Sequence, residues 1–252
     1  MVSGGSGVTY IRNEGQPIWP GRFGIKFLKA WEHRLGSEFT GLYQQRPAAK
    51  EGEIFKRKDW KYYDALPKEE DVMIVLGSMD TAFKATERAD YSVILIALVT
   101  FDHRLFLVDC QRGKYEFNDL KSYTIAKVVE HKPEFLLIED KASGQSLIQE
   151  FKDDDIVSAI AGVIPINKKF DKEDYAHAVK SYVQRGWVWL PDPQVIEDAD
   201  WVGTFLDELS EFPNGDHDDQ VDSFTQLLMY CRNHHYLDYD KDYADDLIGA
   251  VG

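Results

Sequence analysis

The chain has 252 residues, 44% hydrophobic and 13% aromatic, which is ample for one large domain with an appendage. Only two cysteines occur, Cys110 and Cys231, far apart in sequence; that excludes a disulfide framework or a cysteine metal site and fits a reducing compartment. A formal charge of −15 speaks against a passive nucleic-acid binder, since phosphate neutralisation needs basic surface, but it is compatible with carboxylates collected around divalent metals.

The opening MVSGGSGVTY lacks the basic and apolar regions of a signal peptide, and its GGSG reads as a linker. No apolar run approaches a membrane span, so the expectation is a cytosolic chain with no membrane partner. Residues 1–70 read as a connector or appendage. They hold one plausible helix, RFGIKFLKAWEHRLG (22–36), the loop-like QQRPAAKEGEIF and the aromatic segment WKYYDALP.

From Val72 the pattern changes. VMIVLGSMDTAF, YSVILIALVTF and RLFLVDCQRG are three apolar, β-rich runs separated by short polar turns, as in neighbouring strands. EFNDLKSYTIAKVVEHK (116–132) carries a helical apolar stripe ended by Pro133. EFLLIED (134–140) predicts a short buried strand, GQSLIQEFKDD a helix, and AIAGVIPI (159–166) another strand. DKEDYAHAVKSYVQRG (171–186) predicts a helix closed by Gly186, WVWLP a strand, and IEDADWVGTFLDELSEF a helix. Three adjacent strands followed by alternating helices and strands predict an α/β domain with a mixed sheet over 71–235. Residues 236–252 form an acidic C-terminal tail. Its DYDKDYADDLIG fails as a calcium loop, with Tyr243 where glycine is required and Gly249 where glutamate is.

The stretch EFPNGDHDDQVDSF (211–224) packs four aspartates and a histidine into Asp216–Asp222, just before an apolar helical run through Phe224, Leu227, Leu228 and Cys231. One N-cap aspartate is routine; three acids plus His217 ahead of a buried helix exceed what capping requires. Asp219 and Asp222, three apart, share a helical face. Asp80 ends the first strand, and Glu139 and Asp140 end LLIE in the same fashion. Taken alone, Asp80 or the Glu139–Asp140 pair reads more simply as turn or capping chemistry. Strand-end acids gathered on one sheet edge would instead make an oxygen-only site suited to magnesium or manganese. Two such ions can clamp the attacking and leaving oxygens of a phosphodiester.

The order MDTAFKATERADYS, LLIEDKASGQSLIQEF, DKEDYAHAVKSYVQRGWVWLP and FPNGDHDDQVDSF resembles the nuclease domain of the large terminase subunit of tailed bacteriophages, over roughly residues 72–233. The segment GLYQQRPAAKEGEIFKRKDWKYYDALP is similar to the stretch joining that family's ATPase domain to its nuclease. The resemblance implies a ribonuclease H-like fold and an acidic triad that cuts concatemeric double-stranded DNA during genome packaging with two Mg2+ or Mn2+ ions. It implies Asp80 as the first acid, Glu139 as the second and the Asp218–Asp219 pair as the third, with Asp219 favoured and Asp222 as a further ligand or orienting residue. Asp140, Lys141 and His217 are auxiliary candidates, and Lys168, Lys169 and Lys172 candidates for phosphate contact. An ATPase motor domain, a small terminase subunit and a portal are the implied partners, in the cytoplasm of an infected bacterial host.

Two departures stand out. The sequence contains no GxxxxGK[ST] loop, so no ATP site of that kind is expected, and the chain reads as a fragment or a cutter without its motor. Tyr175 stands where the resemblance implies a basic residue. The rival readings are a ribonuclease H-like resolvase or transposase acting on branched or transposon-end DNA, and a docking domain of the packaging machine that retains the acids without chemistry.

Overall fold

The computed structural model describes residues 24, 54–82 and 91–237. By its internal contacts the chain divides between Ala49 and Lys50, and the fold described here belongs to the second unit. Seven strands form one sheet in the order β1-β7-β4-β3-β2-β5-β6: β1 Lys61–Tyr63, β2 Val72–Asp80, β3 Ser92–Thr100, β4 Leu105–Gly113, β5 Phe135–Glu139, β6 Gly162–Ile166 and β7 Val188–Pro191. β3 is antiparallel to β2 and β4, while β5, β6, β7 and β1 join in parallel. Consequently every strand except β3 ends on the same edge of the sheet. β3, SVILIALVT, is buried along its whole length, as a continuous β-branched and aliphatic run covered on both faces must be.

Two helical layers do the covering. On one face lie α1 Phe117–His131, α2 Ala142–Asp153 and α3 Asp155–Ile160, whose Leu120, Val128, Leu147, Phe151 and Val157 pack with Met79, Ile94, Leu136 and Ile138. On the other lie α4 Lys172–Gln184, α5 Trp201–Glu211 and α6 Asp219–Asn233. Their core includes Val179, Phe205, Phe224 and Leu227 against Leu76, Leu95 and Leu137. The alternation is legible in single strands: Met79 and Ile138 face the first layer, Leu76 and Leu137 the second. Among the described residues no helix is long and apolar enough to cross a membrane.

Three expectations need correction. Residues 159–160 belong to the end of α3 and not to the strand that follows; Asp154 caps this short helix by accepting hydrogen bonds from the backbone N–H of Ile156 and Val157. The helix expected from Ile196 begins only at Trp201. The boundary expected after residue 70 does not divide the described fold, because β1 pairs with β7 and because Ile54, Phe55 and Trp60 are buried in the main core. Phe55 and Trp60 meet Phe224 with ring centroids 5.7 and 5.6 Å apart, so the aromatic segment is a structural piece of the domain. At the other end Leu237 is fully buried, two residues into the expected tail. The helix expected over 22–36 falls outside the described residues apart from Gly24, and residues 238–252 of the tail lie outside them too.

Candidate active site

Position in the sheet decides the site. Asp80 is the last residue of β2 and Glu139 the last of β5, and these strands are parallel neighbours, so both carboxylates stand on one edge. α6 crosses above them. It is fixed there by a buried polar lock: Ser78 Oγ donates to the Ser223 carbonyl at 2.8 Å, and Ser223 Oγ donates to the Ser78 carbonyl at 2.9 Å. Gln226 Nε2 adds bonds to Ser78 Oγ, the Met79 carbonyl and the Leu137 carbonyl at 3.1, 3.2 and 3.3 Å. Ser78 and Asp80 share a face of β2, and Asp222 immediately precedes Ser223, so this lock brings Asp222 over the strand-end acids.

The start of α6 has its own anchor. Glu208 of α5, only 5% exposed, accepts from the Gln220 backbone N–H at 2.5 Å and from Gln220 Nε2 at 2.6 Å. The same carboxylate accepts from Arg112 Nη1 at 2.6 Å, and the Arg112 guanidinium lies 4.0 Å from the Tyr91 ring centroid. The Glu139 end is set by Gly144: a Cβ there would stand 2.0 Å from the Glu139 carbonyl oxygen, so only glycine lets the first turn of α2 close over the end of β5.

The acids are buried and bear on one another. Asp80, Glu139 and Asp222 are 8, 4 and 2% exposed. Burial first, then the charge of Asp222, pushes the Asp80 carboxyl up to about 7, with Lys168 and Lys141 opposing and Glu139 adding to the rise. Asp222 titrates below its ordinary value: burial works against that, and is outweighed by Lys168 and Lys172. Lys168, whose side chain is 10% exposed, spans the pair, with Nζ 2.9 Å from Asp222 Oδ1 and 3.3 Å from Glu139 Oε2. Lys172 Nζ is 2.6 Å from Asp222 Oδ2 and 2.7 Å from Asp218 Oδ1, and Lys141 Nζ is 2.8 Å from Glu139 Oε2. Burial acts to lower Lys141 and Lys172; pairing with Glu139 in the first case and with Asp218 and Asp222 in the second prevails and raises them.

Despite those short distances, Glu139 Oε2 and Asp222 Oδ2 are buried oxygens that complete no well-angled hydrogen bond within the described residues. At these two oxygens the lysine contacts are charge pairing and lone pairs stay free, whereas Lys168 Nζ donates to Asp222 Oδ1 at 2.9 Å and Lys172 Nζ to Asp218 Oδ1 at 2.7 Å. Among the described residues no three His, Cys, Asp or Glu side chains stand ready-made around a common centre for a metal. The donor set itself fits a hard divalent cation: all carboxylate, desolvated, with two under-used oxygens. In this structure those oxygens are drawn onto ammonium groups.

The sequence favoured Asp219 as the third acid, but Asp222 is the helix residue whose charge bears on Asp80 and which shares Lys168 with Glu139. Asp219 is buried at the first position of α6, and Asp218 is the N-cap residue, its side chain bound to Lys172 and not to the helix backbone. Capping therefore does not account for the acidic run. Asp140 is exposed, and its backbone N–H bonds the Ile166 carbonyl. His217 is exposed and packs edge-on against Tyr91 at 5.1 Å. Lys169 is exposed outside the cluster, its backbone N–H donating to the Tyr175 hydroxyl at 3.3 Å. Tyr175, where a basic residue was expected, is buried. Sequence reasoning missed Glu208, Arg112, Ser78 and Gln226; the signal was their polarity inside otherwise apolar elements.

A comparison with curated proteins gave no match. Among solved structures, the large terminase nuclease from thermophilic phage G20c with bound zinc is similar at 18% identity, covering 67% of this chain and 92% of that one, with a TM-score of 0.48. The human cytomegalovirus terminase nuclease domain, manganese-soaked with inhibitor bound, is similar at 11% identity over 71% of this chain and 95% of that one, TM-score 0.48. The fowlpox virus resolvase in complex with Holliday junction DNA is similar at 12% identity over 64% and 98%, TM-score 0.42. Residues 77–230, which run from β2 into α6 and so contain Asp80, Glu139 and Asp222, match the family model of the terminase RNaseH-like domain, and the chain belongs to that family.

Proposed function

We propose that this chain is a metal-dependent endonuclease that cuts double-stranded viral DNA during phage genome packaging. The observation that carries the reading is the convergence of Asp80, Glu139 and Asp222, from two parallel strand ends and the last helix, within a terminase RNaseH-like domain. These three residues would hold two divalent ions, Mg2+ or Mn2+, with Asp218 and Asp219 flanking. The chemistry such ions supply when bound is activation of water and neutralisation of charge on the attacked phosphodiester.

The chain's own residues do the rest. The Ser78–Ser223–Gln226 lock and the Arg112–Glu208–Gln220 anchor hold the carboxylates at fixed separation, so that little reorganisation accompanies the reaction. Lys141, about half exposed and paired with Glu139, would meet a phosphate oxygen of the substrate. Raised by their carboxylate partners, Lys141 and Lys172 remain protonated at neutral pH and act as cations, not as bases. The products carry 5′-phosphate and 3′-hydroxyl ends. In the full assembly the partners are an ATPase motor domain, the small terminase subunit and the portal, in the host cytoplasm.

Supercoiled plasmid supplies the test. Nicking and linearisation should vanish in chelator and return when Mn2+ or Mg2+ is added in excess. Undiminished cleavage in chelator would refute the mechanism, and intact plasmid under every metal tried would refute the activity.

A further inference from the structure

Two of the three lysines that sequence reasoning assigned to DNA, Lys168 and Lys172, are already occupied, and so is Lys141. Lys168 reaches Glu139 and Asp222, Lys172 reaches Asp218 and Asp222, and Lys141 reaches Glu139, all between 2.6 and 3.3 Å. Lys168 is the most committed, since its side chain is only 10% exposed and its Nζ also lies 3.4 Å from the Asp222 carbonyl. An ammonium is a compact point charge on a flexible stem, able to leave one anion for another by rotating its side chain.

Carboxylate oxygens serve an ammonium and a divalent cation together poorly at this range, because the two cations repel by about 2 kcal/mol even at the dielectric of water. Nor can one ammonium neutralise Asp222 and a backbone phosphate at the same time. We infer that Lys168 and Lys172 are built-in counter-ions of the acid cluster, which a divalent cation displaces from Glu139 and Asp222, so that the two ammoniums become available to DNA phosphate only when the site is loaded. This rests on the nuclease reading above and adds its regulation: DNA affinity and metal occupancy rise together, by exchange of cations on shared oxygens. It accounts for two features at once. Buried acids are held together without metal, and a chain of net charge −15 acquires local positive charge where and when the substrate needs it.

The primary test is Mn2+ binding to the full chain without DNA, by titration calorimetry, on wild type, Lys168→Met, Lys172→Met and Lys168→Arg. Loss of the competing charge should tighten Mn2+ about tenfold in Lys168→Met, from the Coulomb energy of a unit charge near a divalent ion. Lys172→Met should move the same way by less, and Lys168→Arg should stay near wild type. Affinity that is unchanged or weaker in both methionine variants overturns the exchange while leaving the nuclease reading intact. A wild type that binds no Mn2+ overturns both. Should Lys168→Met fail to fold by circular dichroism, Lys172→Met decides, since its side chain is 42% exposed and can be replaced without opening the core.

A second readout uses a labelled duplex and calcium in place of an activating metal. Two freed ammoniums should steepen the salt dependence of wild-type DNA binding by about two units of log K against log salt relative to chelator. In a Lys168→Met/Lys172→Met double variant calcium should leave the slope where it was. A wild-type slope indifferent to calcium refutes the coupling.

Discussion

Replacing Asp80 by asparagine should abolish cleavage and stabilise the metal-free protein. The side chain is 8% exposed, and its carboxyl is pushed up to about 7 by burial and by Asp222. A carboxyl whose folded pKa lies above its unfolded one binds its proton more tightly in the native chain. Native stability therefore falls as pH rises from about 4, the ordinary carboxylate value, to about 7, and the penalty is complete above that. About three pH units at about 1.4 kcal/mol each set a ceiling of about 4 kcal/mol. Relaxation and water entry in the charged state reduce the realisable gain to about 1–2 kcal/mol, equivalent to about 3–6 °C in a domain of this size. Asparagine keeps the bond its oxygen accepts from the Thr81 backbone N–H at 2.9 Å, so little is lost elsewhere. Melting curves in chelator at pH 5 and pH 8 should show the variant's advantage growing with pH and levelling off near 7, and Mn2+ should raise the melting temperature of wild type far more than that of the variant. A variant less stable at both pH values, or a difference indifferent to pH, would mark Asp80 as a structural hydrogen-bonding residue and undo the assignment.

The positioning network makes further demands. Glu208→Ala leaves Arg112 and the Gln220 backbone N–H without their buried partner and should destabilise by about 3 kcal/mol in urea unfolding, with cleavage reduced because the start of α6 loosens; a loss under about 1 kcal/mol would remove Glu208 from the anchor. Gly144→Ala, whose Cβ would stand 2.0 Å from the Glu139 carbonyl oxygen, should lower the initial cleavage rate more than it lowers Mn2+-free stability, since the shift falls at the end of β5; unchanged cleavage would show that Glu139 tolerates displacement. On the opposite side of the sheet, Asp109 is held down to about 2: burial works against that, and His131, Lys127 and Gln111 outweigh it. Its contribution, about 2 kcal/mol, is fully present above about pH 4 and is lost as pH falls towards 2, so Asp109→Asn should unfold at higher pH in an acid titration followed by circular dichroism, and coincident midpoints would refute it.

Most of the sheet was legible because its strands bury both faces. VMIVLGSMD, SVILIALVT and LFLVDCQRG are runs that only a covered strand sustains, and the residue ending VMIVLGSMD stands on the sheet edge as a matter of geometry. The strand-end positions of Asp80 and Glu139 followed from that reading. What stayed hidden depends on how elements far apart in sequence register against one another. Which acid of the helix start comes over the strand ends turns on a rotation of α6 by about a sixth of a turn, since Asp219 and Asp222 share a helical face, and the rotation is fixed by Ser78, Ser223 and Gln226, residues that in sequence look like ordinary polar interruptions. β1 was concealed for a related reason: three residues, KYY, carry almost no strand signal, and only the aromatic contacts of Phe55 and Trp60 with Phe224 show why that segment belongs to the domain.

The same distinction explains the lysines. In the run NKKFDKED the lysines stand among acids of their own segment, so nothing in sequence shows that Lys168 and Lys172 meet carboxylates far away along the chain. The parallel pairing of β5 with β6 carries the chain to the acidic edge directly after Ile166, opposite Glu139, so Lys168 reaches the acids without leaving its own loop. α4 begins four residues later, and Lys172 at its first position meets Asp218 and Asp222 at the start of α6. Net charge is thus a poor guide to this site in either direction. The overall −15 conceals a local arrangement in which three ammoniums face Glu139, Asp218 and Asp222, and what a passing phosphate meets is set by which cation those carboxylates hold.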